Sequence, residues 1–172
     1  FIMGNFACAD SPFFMKYVDV AGEEIEWEVP GRFERLDDRM MNFRRAMCGR
    51  KPLAFLLNTA FDKLTADSVR RYVEDCMFWA VEPGFFARDG AKNYWTTSLW
   101  YNRDRNLFKT YGPVIRRLAE AGWSPQEFVR VVAGDVQMEN YGSASSLALH
   151  LALRNTNDAP AACRLQFAKP DE

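Results

Sequence analysis

Carboxylate side chains gather where one short strand-like segment of the chain ends. Residues 17–22 predict a strand, with Asp19 inside it and Glu23 and Glu24 at its end. Alternate residues of a strand face opposite sides, so Glu24 shares a face with Gly22, and the glycine leaves room for a ligand. Glycosidic bond cleavage uses two carboxyl groups that flank the bond. Glu24 is therefore the first catalytic candidate and Asp19 the second.

Three more polar residues are predicted at the same edge of a parallel sheet. Asn5 lies near the end of the first apolar run, Asp10 follows shortly after that run, and Asn58 ends a wholly apolar segment. Each could bind a sugar hydroxyl. Structural alternatives stay open, because Asp10 can cap a turn and Asn58 can bond to a neighbouring loop. The acidic run 23–28 could likewise be a solvated loop.

Aromatic side chains are concentrated between residues 93 and 103. Trp95, Trp100 and Tyr101 stand there among amides and Arg103. Flat rings suit the apolar faces of sugars, and the amides and the arginine can bond to hydroxyls, so this segment could form a platform for a carbohydrate. The alternative is that the rings hold a long loop against the rest of the protein.

Alternating strand-like and helix-like segments must position these residues. Apolar runs bounded by polar or Pro-Gly turns predict strands at 1–7, 17–22, 53–58 and 85–86. Periodic apolar residues predict helices at 38–48, 65–80 and 104–121. Asp37 or Asp38 would begin the first helix, Thr65 would cap the second, and Gly122 would end the third. Pro113 predicts a kink or a restart in the third helix.

From residue 127 onward the apolar pattern has a period of two. Leu147, Leu149, Leu151 and Leu153 fall on one side of a predicted strand, and Cys163, Leu165 and Phe167 fall on one side of another. Residues 155–158 have turn composition, so the two strands are predicted to pair as a hairpin. We therefore divide the chain into β/α units over 1–123 and a C-terminal β module over 124–172.

Composition excludes several classes of partner. The net charge is −1, from 22 basic and 23 acidic residues, and no basic stripe suits a nucleic acid. No segment approaches the roughly 18 apolar residues of a membrane span. The four cysteines lack metal-ligand spacing and there is one histidine. The sequence thus predicts no cofactor, no metal site and no membrane span, and buried free thiols at Cys48 and Cys76.

The order of segments predicts an α/β fold, the C-terminal half of a (β/α)8 TIM-type barrel followed by a small antiparallel, sandwich-like β module. The chain opens inside an apolar run with no initiator Met. We therefore expect an N-terminal remainder of the same barrel to precede it. Barrel chemistry lies at the carboxyl ends of the strands, and this chain would carry about half of those ends.

Three passages together resemble the C-terminal half of bacterial glycoside-hydrolase-like (β/α)8 barrels. They are VDVAGEE at 18–24, KPLAFLLN at 51–58, and YNRDR at 101–105 leading to AGW at 121–123. The resemblance implies a carbohydrate-active hydrolase with an oligo- or polysaccharide substrate and a C-terminal β-sandwich. It implies that Glu24, at a strand end of the form Gly-x-Glu, is a catalytic or substrate-binding carboxylate. The second carboxylate would lie on an earlier strand.

Two other functions fit the same sequence. One is a non-catalytic carbohydrate-binding or scaffold protein that keeps the barrel without the acid/base pair. The other is a small α/β domain with no role in carbohydrate chemistry. A polysaccharide substrate makes a secreted or periplasmic location the expectation, and retention or inversion depends on a carboxylate separation that sequence does not contain.

Overall fold

Strands and helices alternate in the first two thirds of the chain, and strands alone follow. The computed structural model describes residues 2–5, 12–25, 28–29, 32–33, 37–58, 64–86, 94–125, 128–143 and 148–168. In chain order the elements are β1 (Met3–Asn5), β2 (Val20–Ile25), β3 (Glu28–Val29), β4 (Arg32–Phe33), α1 (Asp38–Cys48), β5 (Leu53–Asn58), α2 (Ala66–Trp79), β6 (Phe85–Phe86), α3 (Ser98–Ala121), β7 (Trp123–Ser124), β8 (Val129–Ala133), β9 (Gln137–Ser143), β10 (Ala148–Arg154) and β11 (Arg164–Phe167). The predicted mixed α/β class is confirmed.

Four parallel strands form the main sheet, in the order β1-β2-β5-β6. Side chains on one face of β2 and β5 are fully or almost fully buried: Ala21, Glu23, Leu53 and Phe55. The apolar ones belong to the same core as the buried faces of α1 and α2. A short connection cannot join parallel strands, so the crossing helices cover this face of the sheet.

The opposite face of the main sheet is open among the described residues. The register aligns Asn5 with Gly22 and Gly22 with Ala54, so these residues share that face with Met3, Glu24 and Leu56. The side chains there are half-buried or exposed, and none belongs to the buried core. Parallel sheets are normally covered on both faces, so this face lacks its usual cover within the described part of the chain.

The N-terminal ends of α1 and α2 follow their sequence signals. The Asp37 carboxylate accepts a hydrogen bond from the Arg39 backbone N–H at 2.9 Å, and the Thr65 hydroxyl accepts one from the Ser68 N–H at 3.0 Å. The predicted apolar stripe of α2 is buried at Val69, Tyr72, Val73 and Cys76. In α1, by contrast, the buried residues are Met41, Arg45 and Cys48, while the predicted apolar positions Met40 and Phe43 are exposed.

The starts of β2 and of α3 differ from the predicted ones. Residues 12–17 form a short 3-10 helix, and β2 begins only at Val20, so Asp19 precedes the strand instead of lying inside it. The helix predicted over 104–121 begins at Ser98, in a segment predicted as loop. No Gly or Pro occurs between 94 and 111 to stop a helix there. The helix continues through Pro113, so the predicted restart there does not occur. It ends at Ala121 with Gly122 as its C-cap residue, which confirms the predicted stop at Gly122.

The predicted C-terminal hairpin is also wrong. β10 pairs with β9, and β11 pairs with β8, so the strands predicted as partners belong to different sheets. A backbone feature favours the observed pair: Gly142 has a φ of 94°, and a Cβ there would lie 2.0 Å from the Ala148 carbonyl oxygen. The buried face is also opposite to the predicted one at the strand end, since Ala152 and Arg154 are buried and Leu153 is exposed.

Two buried arginines join the pair of strands β9 and β10 to the helices. Arg154 donates to Asp75 at 3.1 Å and to Asp38 at 2.7 Å, and its guanidinium carbon lies 4.0 Å from the Phe78 ring centroid. Arg45 of α1 forms an ion pair with Glu139 of β9 at 2.9 Å. Such pairs need good geometry because burying a charge is costly, and removal of one partner is strongly destabilising.

We expect Arg154→Met to lower the free energy of unfolding by about 3–5 kcal/mol, because the buried Asp75 carboxylate loses its cation. Urea denaturation followed by circular dichroism measures the change. Arg130→Met is the matched control, since Arg130 is exposed and bonds only to the Gln166 side chain in the described structure. Its effect should stay within about 0.5 kcal/mol. Equal losses in the two variants would contradict the role given to Arg154.

A second prediction concerns the segment that enters β6. The Tyr72 hydroxyl donates to the Gly84 carbonyl at 2.9 Å and accepts from the Gly84 N–H at 3.1 Å. Tyr72→Phe should therefore cost about 1–3 kcal/mol of stability. Tyr111→Phe, which loses a 3.2 Å bond to the half-buried Glu74, should cost less than about 1 kcal/mol. Chemical denaturation of both variants checks the order, and the reverse order would refute it.

Candidate functional site

The open face of the main sheet brings two predicted site residues into contact. Asn5 at the end of β1 and Glu24 near the end of β2 are joined by a hydrogen bond, in which the Asn5 Nδ2 donates to the Glu24 Oε1 at 2.9 Å. The parallel register places both side chains on the same face. Their strands run in the same direction, so the contact lies at the carboxyl edge of the sheet, where α/β proteins bind ligands.

Gly22 allows another group to pack closely beside Glu24, as predicted. That group belongs to the protein itself and not to a ligand. A Cβ at Gly22 would lie 2.5 Å from the Met3 Cε and 3.5 Å from the Gly4 carbonyl oxygen. The space that the sequence analysis assigned to a ligand is therefore filled by Met3. The glycine lets β1 pack tightly on β2, and this packing brings Asn5 within reach of Glu24.

The neighbouring acidic residues Glu23 and Glu24 of β2 lie on opposite faces of the sheet. Glu23 is fully buried on the helix side, and its Oε2 lies 3.8 Å from the Arg44 guanidinium of α1. Glu24 is half-buried on the open face. The alternative of a solvated loop therefore does not describe Glu23 and Glu24, which alternate in and out of one strand.

Asp19 lies at the opposite end of β2 from Glu24. Its carboxylate accepts a hydrogen bond from the Ile2 N–H at 2.7 Å, and its own N–H donates to the Ile2 carbonyl at 2.7 Å. Five residues of strand correspond to roughly 16 Å. Paired carboxyl groups in glycosidases are about 5–9.5 Å apart, so Asp19 and Glu24 cannot flank one glycosidic bond. Asp19 instead fixes the start of the β1–β2 pair.

The other predicted polar ligands are only partly placed. Asn58 ends β5 at the same carboxyl edge as Glu24, and the conformation of its side chain lies outside the described structure. Asp10 lies outside the described residues altogether.

The predicted aromatic platform is a packed cluster beside β6. Tyr94 stacks on Phe85 with ring centroids 4.1 Å apart, and the Trp95 centroid lies 5.9 Å from that of Phe85. Phe85 also makes an edge contact with Tyr72 of α2, which places the cluster on the helix side of the sheet. Trp95 packs within this cluster and is 45% exposed. The structure thus does not bring it onto the face that carries Glu24.

Trp100 and Tyr101 belong to the first turn of α3 and are half-buried. Tyr101 contacts the Trp95 ring at a centroid distance of 6.1 Å. The Arg105 guanidinium carbon lies 5.9 Å from the Tyr101 ring centroid. The aromatic segment is therefore helical at these two residues, with partly accessible rings.

The burial of a polar cluster beside these rings, with Tyr94 as a member, was not expected from the sequence. The Tyr94 hydroxyl donates to the Asp104 Oδ2 at 2.8 Å, and Arg103 holds the same carboxylate through 2.7 Å and 2.8 Å bonds. Burial, with the Asp104 carboxylate beside it, raises the pKa of Tyr94 well above its usual value. The signal in the sequence was Asp104 itself, which falls on the apolar stripe of its helix three and four residues before Leu107 and Phe108.

A cleft of about 880 Å³ lies at the amino-terminal ends of the strands, away from Glu24. The last turns of all three helices line it, together with Lys51, Trp79 and Trp123. Helix carboxyl ends carry partial negative charge, which suits the basic side chains here. One of them, Lys51, donates to the Val18 carbonyl at 2.6 Å. In α/β proteins with parallel sheets, ligands bind outside the carboxyl ends of the strands, which is the opposite end from this cleft.

The described residues contain no group of three or more His, Cys, Asp or Glu side chains placed to hold a metal ion. Cys48 and Cys76 are buried free thiols, as predicted. Burial raises the pKa of the Cys76 thiol well above its usual value. Within the same residues, no helix has the length and apolar character to cross a membrane.

The chain was compared with protein families, curated proteins and solved structures. No family model, no curated protein and no solved structure matches it.

Proposed function

We propose that this chain is part of a carbohydrate-active hydrolase, in which Glu24 supplies one of the two carboxyl groups that cleave a glycosidic bond. The hydrogen bond between Asn5 and Glu24 carries the proposal. It joins the carboxyl ends of two neighbouring parallel strands, on a face that the described helices leave open. This is the place where a barrel enzyme holds its reactive side chains.

The barrel part of the proposal is supported by the order of the main sheet. Its four parallel strands follow one another across the sheet in the order in which they occur in the chain, as in a (β/α)8 barrel. Helices cover one face and leave the other for the inside of a closed sheet. We propose that the chain forms the C-terminal half of such a barrel, and that its last strands form the sandwich-like module.

Asn5 would act as a positioning residue for the reaction. Its amide holds one oxygen of the Glu24 carboxylate and so fixes the plane of the group. Catalysis needs a second carboxyl group opposite the first, as acid where Glu24 is base or nucleophile, or the reverse. The expected source of that group is the N-terminal remainder of the barrel.

A non-catalytic carbohydrate-binding or scaffold function is the second candidate. Of the carboxylates predicted for the site, Glu24 alone is placed on the open face in the described part of the chain, since Glu23 is turned to the helix side and Asp19 lies at the other end. A single carboxylate with a neighbouring amide can bind sugar hydroxyls without cleaving the bond between two sugars.

Hydrolysis of a broad panel of glycans by the complete native protein and by its Glu24→Gln variant tests the proposal. We expect Glu24→Gln to lower kcat by roughly 10²–10⁴-fold, because the amide can neither accept nor donate the proton that the reaction needs. Glu82→Gln is the matched control, since Glu82 is exposed and lies at the amino-terminal end of β6, where it should leave kcat unchanged. Circular dichroism shows that both variants are folded.

The outcomes separate the candidates. Cleavage that is lost with Glu24→Gln and kept with Glu82→Gln supports the hydrolase. Glycan binding without cleavage by the native protein refutes the hydrolase and favours the binding protein. Neither binding nor cleavage refutes the carbohydrate assignment as a whole.

A prediction for Asn5 tests the positioning role separately. Asn5→Ala should lower kcat by about tenfold with little change in KM, because the Glu24 carboxylate keeps its chemistry and loses its fixed orientation. Steady-state kinetics on the best substrate of the panel measure both constants. A rise in KM with unchanged kcat would show that Asn5 binds substrate instead of orienting Glu24.

A further inference from the structure

The cleft at the amino-terminal ends of the strands has the size and the lining of a binding site. Its volume of about 880 Å³ falls within the roughly 300–1,000 Å³ of sites for small molecules. Much of its described lining is aromatic or apolar: Leu53, Trp79, Val81, Trp123, Phe128 and Tyr141. Such sites add a few polar groups that fix the orientation of the ligand. The polar groups of this lining therefore decide which ligand fits.

Two buried side chains of the lining each have a donor without a hydrogen-bond partner in the described structure. Trp79 is 1% exposed and Arg45 is 5% exposed. The unpartnered donors are the indole Nε1 of Trp79 and the guanidinium Nε of Arg45. Buried polar groups nearly always have a partner, because leaving one unpaired is costly. Both of these groups can only donate, so the partner that each lacks is an acceptor.

The other nitrogens of Arg45 hold its side chain in place. Its Nη1 donates to the Tyr141 hydroxyl at 3.2 Å, and its Nη2 pairs with Glu139 at 2.9 Å. The same Tyr141 hydroxyl donates to the carbonyl of Phe78, the residue before Trp79. One hydroxyl thus links Arg45 to the backbone beside Trp79, and both unpartnered donors belong to one part of the lining. A donor that is already held in place loses little freedom when a ligand binds.

Two cations of the lining have no ion pair within the described part of the chain. They are Arg50 and Arg116, which are both exposed. Glu82 and Glu120 line the same cleft, and the carboxyl ends of the helices add partial negative charge. The long-range field therefore does not favour an anion. An anion would bind here through direct contact with the donors.

We propose that this cleft is a second binding site of the protein and takes a small organic anion with an apolar body. The anionic group would accept hydrogen bonds from the Trp79 Nε1 and the Arg45 Nε, and the apolar body would pack on the aromatic lining. Arg116 would contact the ligand at the opening. Because Glu24 lies at the opposite end of the strands, an occupied cleft and a bound glycan do not compete.

Titration of the complete native protein with anilinonaphthalene sulfonate, followed by the fluorescence of the dye, tests the proposal. This dye joins a sulfonate to an apolar aromatic body. We expect saturable binding. N-phenylnaphthylamine has the same ring system without the sulfonate. It should bind about tenfold more weakly, because it brings no charged acceptor to the donors of the cleft.

A pair of neighbouring arginines on α3 separates contact in the cleft from a general effect of charge. Arg116→Glu should weaken binding of the sulfonate about tenfold or more, because a charge-assisted bond is lost and a repelling carboxylate is added. Arg117→Glu is the matched control, since Arg117 is also exposed and is not among the described residues of the lining. Its effect should stay below about twofold, because exposed charges are screened by salt.

Trp79→Phe tests the buried donor. The change keeps a ring in the core and removes the N–H, so it should weaken binding of the sulfonate about fivefold and leave that of N-phenylnaphthylamine unchanged. Circular dichroism shows whether the variants are folded, and the two arginine variants decide the outcome where Trp79→Phe is not.

Three results would overturn the proposal. Absence of saturable sulfonate binding removes the site. Equal affinity for the two dyes shows that the anionic group contributes nothing. Equal losses in Arg116→Glu and Arg117→Glu place the dye outside the cleft.

Discussion

Parallel pairing of the four strands of the main sheet is the constraint on which the rest of the structure depends. Parallel neighbours need long crossovers, and the helices in those crossovers bury one face of the sheet against a common core. Strand alternation then sends Glu23 into that core and Glu24 to the open face. The same geometry aligns the carboxyl ends of β1 and β2, so that Asn5 reaches Glu24. The site is thus a consequence of strand direction as much as of residue type.

Buried charge fixes the C-terminal strands on this α/β layer. Arg154 reaches from β10 to Asp75 and Asp38 in the helices, and Arg45 reaches from α1 to Glu139 in β9. A hydrophobic contact tolerates sliding, whereas a buried cation must keep its carboxylate partners. These links orient the antiparallel strands relative to α1 and α2. They also explain why the end of β10 buries an arginine and exposes Leu153.

The candidate site and the polar contacts that hold the backbone occupy opposite ends of the main sheet. Glu24 and Asn5 stand at the carboxyl edge, while Asp19 and Lys51 use their polar groups to fasten backbone at the amino edge. The aromatic cluster around Phe85 belongs to the helix side, where it anchors the start of α3.

The sequence by itself determined what depends on neighbouring residues. The caps at Asp37 and Thr65, the end of α3 at Gly122, the apolar run of β5 and the buried stripe of α2 all follow from contacts within a few residues, and the structure confirms them. Tertiary structure alone decided which strand pairs with β10 and which face is buried at the end of β10. It alone also decided that Asp19 lies far from Glu24. These outcomes rest on partners distant in the chain, such as Asp75 for Arg154, which the residues neighbouring each strand do not specify.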